Sequence, residues 1–255
     1  MPSPLAHRLR ASILPVVAVA IVACGGGSTV TTSPDDNDPA ASVAADAASL
    51  APAGARSFLT VDASLGRLVR VDPDNGQIDE VLDLDGTAYA MDQGDGALWL
   101  GMDSGTVLRV NPSDGSMIAE IAPTSADGLF DLAVGGGAAW TLHGVPGAGT
   151  SLVRIDTAAN TAGEPIAAGD GISFFDIDAD ADSVWLVGSS PMKATTLYAV
   201  DPATGSIEDQ EIEMVIDGIA AGDGAVWLAG TIFPDGAVGV PGVGRFDPAT
   251  GDVTT

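Results

Sequence analysis

Lysine is nearly missing from this chain. Lys193 is the only one among 255 residues, and arginine supplies the other eight of nine basic side chains. Thirty-five acidic residues, almost all aspartate, bring the formal net charge to −26. Nucleic-acid binding is excluded on this ground, because neutralising phosphates needs clustered Lys and Arg. The acidity reads first as a solvated, self-repelling surface; a high-salt habitat and cation binding are the other readings. Cysteine occurs once, at Cys24, so no intrachain disulfide can form. Histidine occurs twice, at His7 and His143. The Walker loop, GxSxG, HExxH and CxxC motifs are all missing, and with them the usual signatures of nucleotide, serine-hydrolase, zinc-protease and dithiol chemistry.

Apolar runs are short as well. The longest is Ala11–Ala20, preceded by His7, Arg8 and Arg10 and followed by Ile21-Val22-Ala23-Cys24. A positive start, a brief apolar stretch and small residues before a cut make a secretory signal; the run is too short to span a bilayer comfortably. The ending resembles that of bacterial lipoproteins: an aliphatic residue, one variable residue, a small residue, then cysteine. That resemblance implies a signal peptide over 1–23 and a diacylglyceryl group on Cys24, with fatty acylation such as palmitate on the new N-terminus. It places the mature chain on the extracytoplasmic face of a membrane, at the cell surface or in a periplasm. Losing Arg8 and Arg10 leaves seven basic residues against 35 acidic ones, a formal charge of −28. Lipid, and not a basic patch, would then hold the chain at the membrane; several acyl chains anchor stably where one is marginal. Residues 24–55 read as a tether, since Gly25–Gly54 is rich in Gly, Ser, Thr, Pro, Asp and Ala and has no aromatic residue. About 30 flexible residues span roughly 30 Å.

From residue 56 onward the chain repeats. Trp99, Trp140, Trp185 and Trp227 are spaced by 41, 45 and 42 residues, in the settings GDGALWLG, GGGAAWTL, ADADSVWLVG and GDGAVWLAG. Behind each comes an alternating run (VLRVNP, LVRIDT, LYAVDP, VGRFDP) that ends in a turn; a fifth run, LVRVDP, lies at 68–73. The turns are DPDNG at Asp72–Gly76, NPSDG at Asn111–Gly115, DTAAN at Asp156–Asn160 and DPATG at Asp201–Gly205 and Asp247–Gly251. Asp caps backbone N–H groups two residues on, Pro presets φ, and Gly supplies positive φ. The Gly-Asp-Gly before the tryptophan is a second hairpin turn. Four short strands in about 42 residues make one propeller blade. In the first copy, Thr60 takes the tryptophan position, twelve residues before Asp72. The tryptophans are expected between neighbouring blades.

This pattern resembles the bacterial superfamily of six- and seven-bladed propellers that includes virginiamycin B lyase, NHL-repeat, YVTN-repeat and quinoprotein-like proteins. An all-β propeller over 56–255 is expected, with five blades visible. Two readings stay open: a compact five-blade ring, or a chain truncated from six or seven. Ala41–Leu50 is the candidate for the missing inner strand of the first blade.

The resemblance carries little chemistry over. The lyase-like enzymes place histidines and a glutamate around a magnesium-dependent site, whereas His143 is the one histidine left after signal cleavage. Quinone-binding propellers carry a Trp shortly after the TG turn; SIEDQ and DVTT follow here. Asp176–Asp182 suggests an EF-hand loop, but Ser183 and Ser189 stand where Gly and Glu belong. No cofactor, metal or catalytic residue is assigned.

One trend points to a binding face. The gap from the tryptophan position to its turn grows along the chain as 12, 12, 16, 16 and 20 residues, while the return gap stays between 26 and 29. Extra length therefore collects between the second and third strands, in 143–151, 188–196 and 230–244. Insertions on one face of a repeat array often mark its binding face. His143, Lys193 and Phe233 are the candidate partner contacts there, expected in exposed loops. The competing idea is a channel mouth lined by Asp85, Asp127, Asp170 and Asp217 that would attract cations. The expected role is a lipid-anchored binding or scaffold module; the alternative is a lyase or hydrolase of the virginiamycin B lyase-like group.

Overall fold

The structure is a computed structural model. It describes residues 57–62, 65–123, 128–145, 149–169, 171–190, 193–210, 212–233 and 239–255. The signal peptide, Cys24, the tether and Ala41–Leu50 lie outside these residues, as do Asp127 and Asp170.

Among the described residues, twenty strands form five antiparallel sheets, taken in chain order as blades one to five. Blade one is β1 (Phe58–Asp62), β2 (Arg67–Val71) and β3 (Ile78–Asp83). Blade two runs β4 (Ala88–Gly94), β5 (Ala97–Met102), β6 (Val107–Val110) and β7 (Met117–Ile121). Blade three is β8 (Leu129–Gly135), β9 (Ala138–Val145) and β10 (Gly149–Asp156), edged by β11 (Thr161–Ala162) and β12 (Ile166–Ala167). Its fourth strand is split because Pro165 falls inside it and has no N–H to donate. Blade four is β13 (Ser173–Ala179), β14 (Val184–Ser190), β15 (Lys193–Val200) and β16 (Ile207–Gln210). Blade five is β17 (Met214–Gly222), β18 (Ala225–Ile232), β19 (Val240–Phe246) and β20 (Val253–Thr254). The innermost strands β4, β8, β13 and β17 lie side by side in that order.

Turn chemistry sets these meanders. The N–H two residues past Asp72, Asn111, Asp156, Asp201 and Asp247 donates to that side chain at 2.8–2.9 Å. The closing residues Gly76, Gly115, Asn160, Gly205 and Gly251 all have φ between 55° and 78°. The second turn class has two successive positive-φ residues in blades two, three and five: Asp95-Gly96, Gly136-Gly137 and Asp223-Gly224. That geometry matches the right-handed twist of the flanking strands.

The core is a set of seams between blades. Leu59 and Leu68 meet Leu98, Leu100 and Val110 of blade two. Trp99 meets Leu132, Val134 and Ile155 of blade three. Trp140 meets Phe174, Ile177 and Leu186 of blade four. Trp185 meets Met214, Val226 and Phe246 of blade five, edge-on to the Phe246 ring at 5.5 Å. These three indoles are at most 5% exposed. Burying one contributes about 3–5 kcal/mol relative to alanine.

Two expectations need correction. Leu59, not Thr60, holds the tryptophan position of blade one: Leu59 pairs with Arg70 as Trp99 pairs with Arg109, because the β1–β2 connection is one residue longer. Blade one thus consists of second, third and fourth strands. Trp227 is not packed between blades; it is 47% exposed, because no described sheet covers the far side of blade five. The five blades therefore do not form a ring sealed like their internal seams.

Gly205 tests the turns. At φ 74°, a Cβ there would stand 2.7 Å from Ile166 Cδ1. Gly205→Val should destabilise the fold by about 1–3 kcal/mol. Chemical denaturation checks this, and a midpoint equal to wild type would show that the turn tolerates a side chain.

Candidate functional site

Each inner strand carries a β-bulge at the same place, between Ala88/Ala90, Leu129/Asp131, Phe174/Asp176 and Ile216/Gly218. Bulges re-aim the side chains beside them, and here these include two aspartates. Asp131 Oδ2 accepts the Ile177 N–H of blade four at 3.0 Å, and Asp176 Oδ2 accepts the Ile219 N–H of blade five at 2.9 Å. Two residues further along the strand, Asp92 accepts from Val134 at 2.6 Å and Asp178 from Ala221 at 2.7 Å. Four carboxylates thus link successive inner strands. Thr150 and Thr195 do the same from the third strand, accepting the Phe174 and Ile216 N–H groups at 2.7 Å.

These carboxylates are not in their ordinary ionisation range. Burial pushes Asp92 up to about 6, against the downward pull of its two backbone N–H donors. Burial raises Asp178 and Asp176 as well. Asp131 is raised well above the usual carboxylate range, first by burial and then by the Asp176 charge. The capping aspartates of the turns behave oppositely. Backbone donors hold the exposed Asp114, Asp156 and Asp201 low. Among the described residues no group of three or more His, Cys, Asp or Glu converges to hold a metal ion.

The predicted partner residues separate. His143 is wholly buried on β9, not in an exposed loop, and shares a 2.8 Å hydrogen bond with Thr141 Oγ1. As a surface contact it is corrected: it belongs to the blade-three interior. Lys193 opens β15 opposite Ser190; its side chain lies outside the description. Phe233, just beyond β18, is 45% exposed. Three different blades supply the three positions.

The graded gaps have a structural form. Residues 143–151, 188–196 and 230–244 are mostly strand, so the extra length extends the hairpins β9–β10, β14–β15 and β18–β19 to 7 or 8 residues a side. The β5–β6 hairpin has 6 and 4. These hairpins share a face with the loops leading into the inner strands: the Gly144 N–H donates to Gly128 O. On that face, beside the β14–β15 hairpin, a hollow of about 290 Å³ is lined by Ala168, Ile172, Ser190, Tyr198, Ile207 and Asp209. Sequence reasoning missed the hollow and the blade-linking role of the inner-strand carboxylates, two of which, Asp176 and Asp178, it had weighed only as part of a calcium loop. The signal for the carboxylates was present: Asp92 and Asp178 stand seven residues before their tryptophans, and Asp131 and Asp176 nine.

No protein-family model matches the chain, and no curated protein does. Solved structures do match. Kuenenia stuttgartiensis hydrazine synthase superposes with a TM-score of 0.57 at 16% identity, over 78% of this chain and 62% of that one. The Neurospora crassa Pan2 WD40 domain gives 0.52 at 11%, over 69% and 56%. The dihydro-heme d1 dehydrogenase NirN, in complex with DHE, gives 0.55 at 14%, over 78% and 43%. The chain is a β-propeller. At these identities the likeness shows the fold alone, and this propeller spans less than two thirds of the neighbours' length.

The carboxylates predict an acid-leaning stability profile. A group whose folded pKa is raised binds its proton more tightly in the fold, so stability is gained as pH falls from 8 through about 6. Groups held low act the other way and lose stability below about pH 4. The thermal midpoint should therefore peak between about pH 4 and 6. Asp92→Ala should flatten the rise on the alkaline side. A midpoint that climbs steadily from pH 5 to 8 would contradict the assignment.

Proposed function

We propose that this propeller is a lipid-anchored binding module of the cell envelope, whose partner sits on the face of the extended hairpins. The observation that carries the reading is the selective lengthening of β9–β10, β14–β15 and β18–β19, while the rest of the repeat keeps its period. Strand-paired extensions project from the blade edges without disturbing the seams, so they can vary with a partner while the core stays constant. Phe233 offers an exposed aromatic anchor of the kind that dominates interface energies. The hollow beside the β14–β15 hairpin adds a lining that mixes polar Ser190, Tyr198 and Asp209 with apolar Ala168, Ile172 and Ile207. A protein segment suits such a surface: an apolar anchor point, a shallow polar cleft, and little positive charge to attract acids. No observation favours the lyase or hydrolase alternative.

Anchorage is tested separately. Cys24→Ser should leave the fold unchanged and move the protein from the membrane fraction to the soluble one, or leave it unprocessed. Unchanged membrane partition in detergent extraction would remove the lipoprotein reading.

The binding face is tested by shortening the hairpins beyond their structural residues. His143 is core, and Thr150 and Thr195 hold the next blade, so they must stay. Replacing 233–239 with Asn-Gly, and separately Phe233→Asp, should leave the thermal midpoint within about 1–2 °C of wild type. Both should lose the partner that the wild type captures from envelope extract, with Phe233→Asp weakening it at least about tenfold. If both variants retain every partner, the hairpins do not form the site.

A further inference from the structure

The hollow beside the β14–β15 hairpin opens at the seam of blades three and four, an internal seam with a described sheet on either side. One face of blade four builds most of it. Tyr198 pairs with Asp209 and Val200 with Ile207, which puts Tyr198, Ile207 and Asp209 on the same side of the sheet. Tyr198 packs edge-on against Phe174 at 5.3 Å, in the cluster that joins blade four to blade three. Ala168 and Ile172 come from the crossing between β12 and β13, and with Ser190 they complete the lining.

An unpartnered hydroxyl stands on this face. Thr195 points to blade five, where its Oγ1 accepts the Ile216 N–H. Thr196 therefore points the other way, to the side of Tyr198. It is 4% exposed, and among the described residues its Oγ1 has no hydrogen-bond partner. Its cross-strand neighbour is Gly188, which brings no side chain to satisfy it. Ser190, two residues beyond Gly188, and Tyr198, two beyond Thr196, both line the hollow. Thr196 thus sits between two lining residues, on the inner wall. A buried hydroxyl without a partner is unfavourable, and valine, of nearly the same shape, would avoid the loss.

The lining narrows what would take that bond. Its polar groups are the hydroxyls of Ser190 and Tyr198 and the carboxylate of Asp209, and the remainder is aliphatic. No described lining residue is cationic, so an anion is unsuited. Among the described residues no group of three or more ligating side chains forms, so a metal ion is unsuited too. An ammonium group only donates, and would leave the Thr196 proton without an acceptor. A ligand hydroxyl both donates and accepts, as these hydroxyls do. Ser190, Tyr198 and Asp209 are held by interactions of their own. A carboxylate takes about four hydrogen bonds and a hydroxyl about three, so a held group still serves a ligand and is positioned in advance. At about 290 Å³ the space is at the lower end for ligand pockets, which suits one small ring.

We propose that the hollow between blades three and four binds a neutral, polyhydroxylated ring of monosaccharide size. Thr196, Ser190, Tyr198 and Asp209 take its hydroxyls, and Ile172 and Ile207 its C–H face. The same chemistry comes as a free sugar or as the end residue of a glycan. The proposal rests on the reading of this face as a binding face but not on the Phe233 contact, so the two fail separately.

Two measurements on the full chain test it. The first needs no ligand: Thr196→Val should hold or raise the thermal midpoint, because the hydroxyl has no bond to lose. A midpoint lowered by more than about 2 °C would overturn the proposal, since the hydroxyl would then be bonded within the fold. The second is titration, followed by ligand NMR, with glucose, galactose, mannose and N-acetylglucosamine, each free and as its methyl glycoside. Butylamine and gluconate serve as cationic and anionic controls. At least one sugar should bind with a Kd of about 10 mM or tighter. Thr196→Val and Asp209→Ala should each weaken it at least about tenfold. Binding of the methyl glycoside assigns the end of a glycan, and binding of the free form alone assigns a free sugar. The proposal falls if no sugar binds, if butylamine binds more tightly than every sugar, or if Thr196→Val leaves sugar affinity unchanged.

Discussion

A large apolar side chain seated on the face of the neighbouring sheet, joined in three of the four seams by an arginine that holds that sheet's turn, turns separate antiparallel sheets into one body. Each sheet alone is a short meander, with two faces that water would reach. Strand pairing supplies hydrogen bonds within a blade but buries little apolar area. The seams bury it: Trp99, Trp140 and Trp185 are at most 5% exposed, and each touches residues of the following blade. The arginine adds direction to a non-directional force. A guanidinium over an aromatic face is worth about 0.5–2 kcal/mol, and its donors reach carbonyls at one height only. Sliding one blade against the next would break those bonds before it exposed much hydrocarbon.

Near the axis the same job falls to carboxylates, at a different cost. Asp92, Asp131, Asp176 and Asp178 accept inner-strand N–H groups of the following blade. Burying ionised groups so close together is unfavourable, and their upward shifts record it. The Asp176 charge also raises Asp131, since two neighbouring carboxylates disfavour both being ionised. The outer surface, where acids cap turns and face water, carries the opposite shifts. Among the described residues the lengthened hairpins contribute Thr150, Thr195 and Ile232 to these contacts. Beyond these residues they are free to lengthen, and that is why a binding role is proposed there.

Local chemistry was legible in the sequence and long-range pairing much less so. The turn at Asp201–Gly205 declares itself, because Asp, Pro and Gly each meet a backbone requirement within five residues. Trp99, Trp140 and Trp185 could be assigned to the seams from their period alone. Blade one was misread by one residue: it has leucine in place of tryptophan, and its first hairpin is longer by one, so counting back from Asp72 fell on Thr60 and not on Leu59. His143 looked like a loop residue because it opens the lengthened segment 143–151, yet the strand continues past it and buries the ring. Trp227 looked equivalent to its siblings, and locally it is; only the sheet beyond decides whether an indole is core or surface. The inner-strand aspartates were hidden by abundance, since in so acidic a chain an aspartate at the right spacing does not stand out.

The seam account stands or falls on two tryptophans with the same place in their blades. Trp99 is covered by blade three, and Trp227 is 47% exposed on the far side of blade five. Urea denaturation of Trp99→Ala and Trp227→Ala, at concentrations where the chain is monomeric, measures what the neighbouring sheet contributes. The account predicts a loss of about 3–5 kcal/mol for Trp99→Ala and under about 1 kcal/mol for Trp227→Ala. Equal losses for the two would contradict it, because the indole would then be serving its own blade and not the seam.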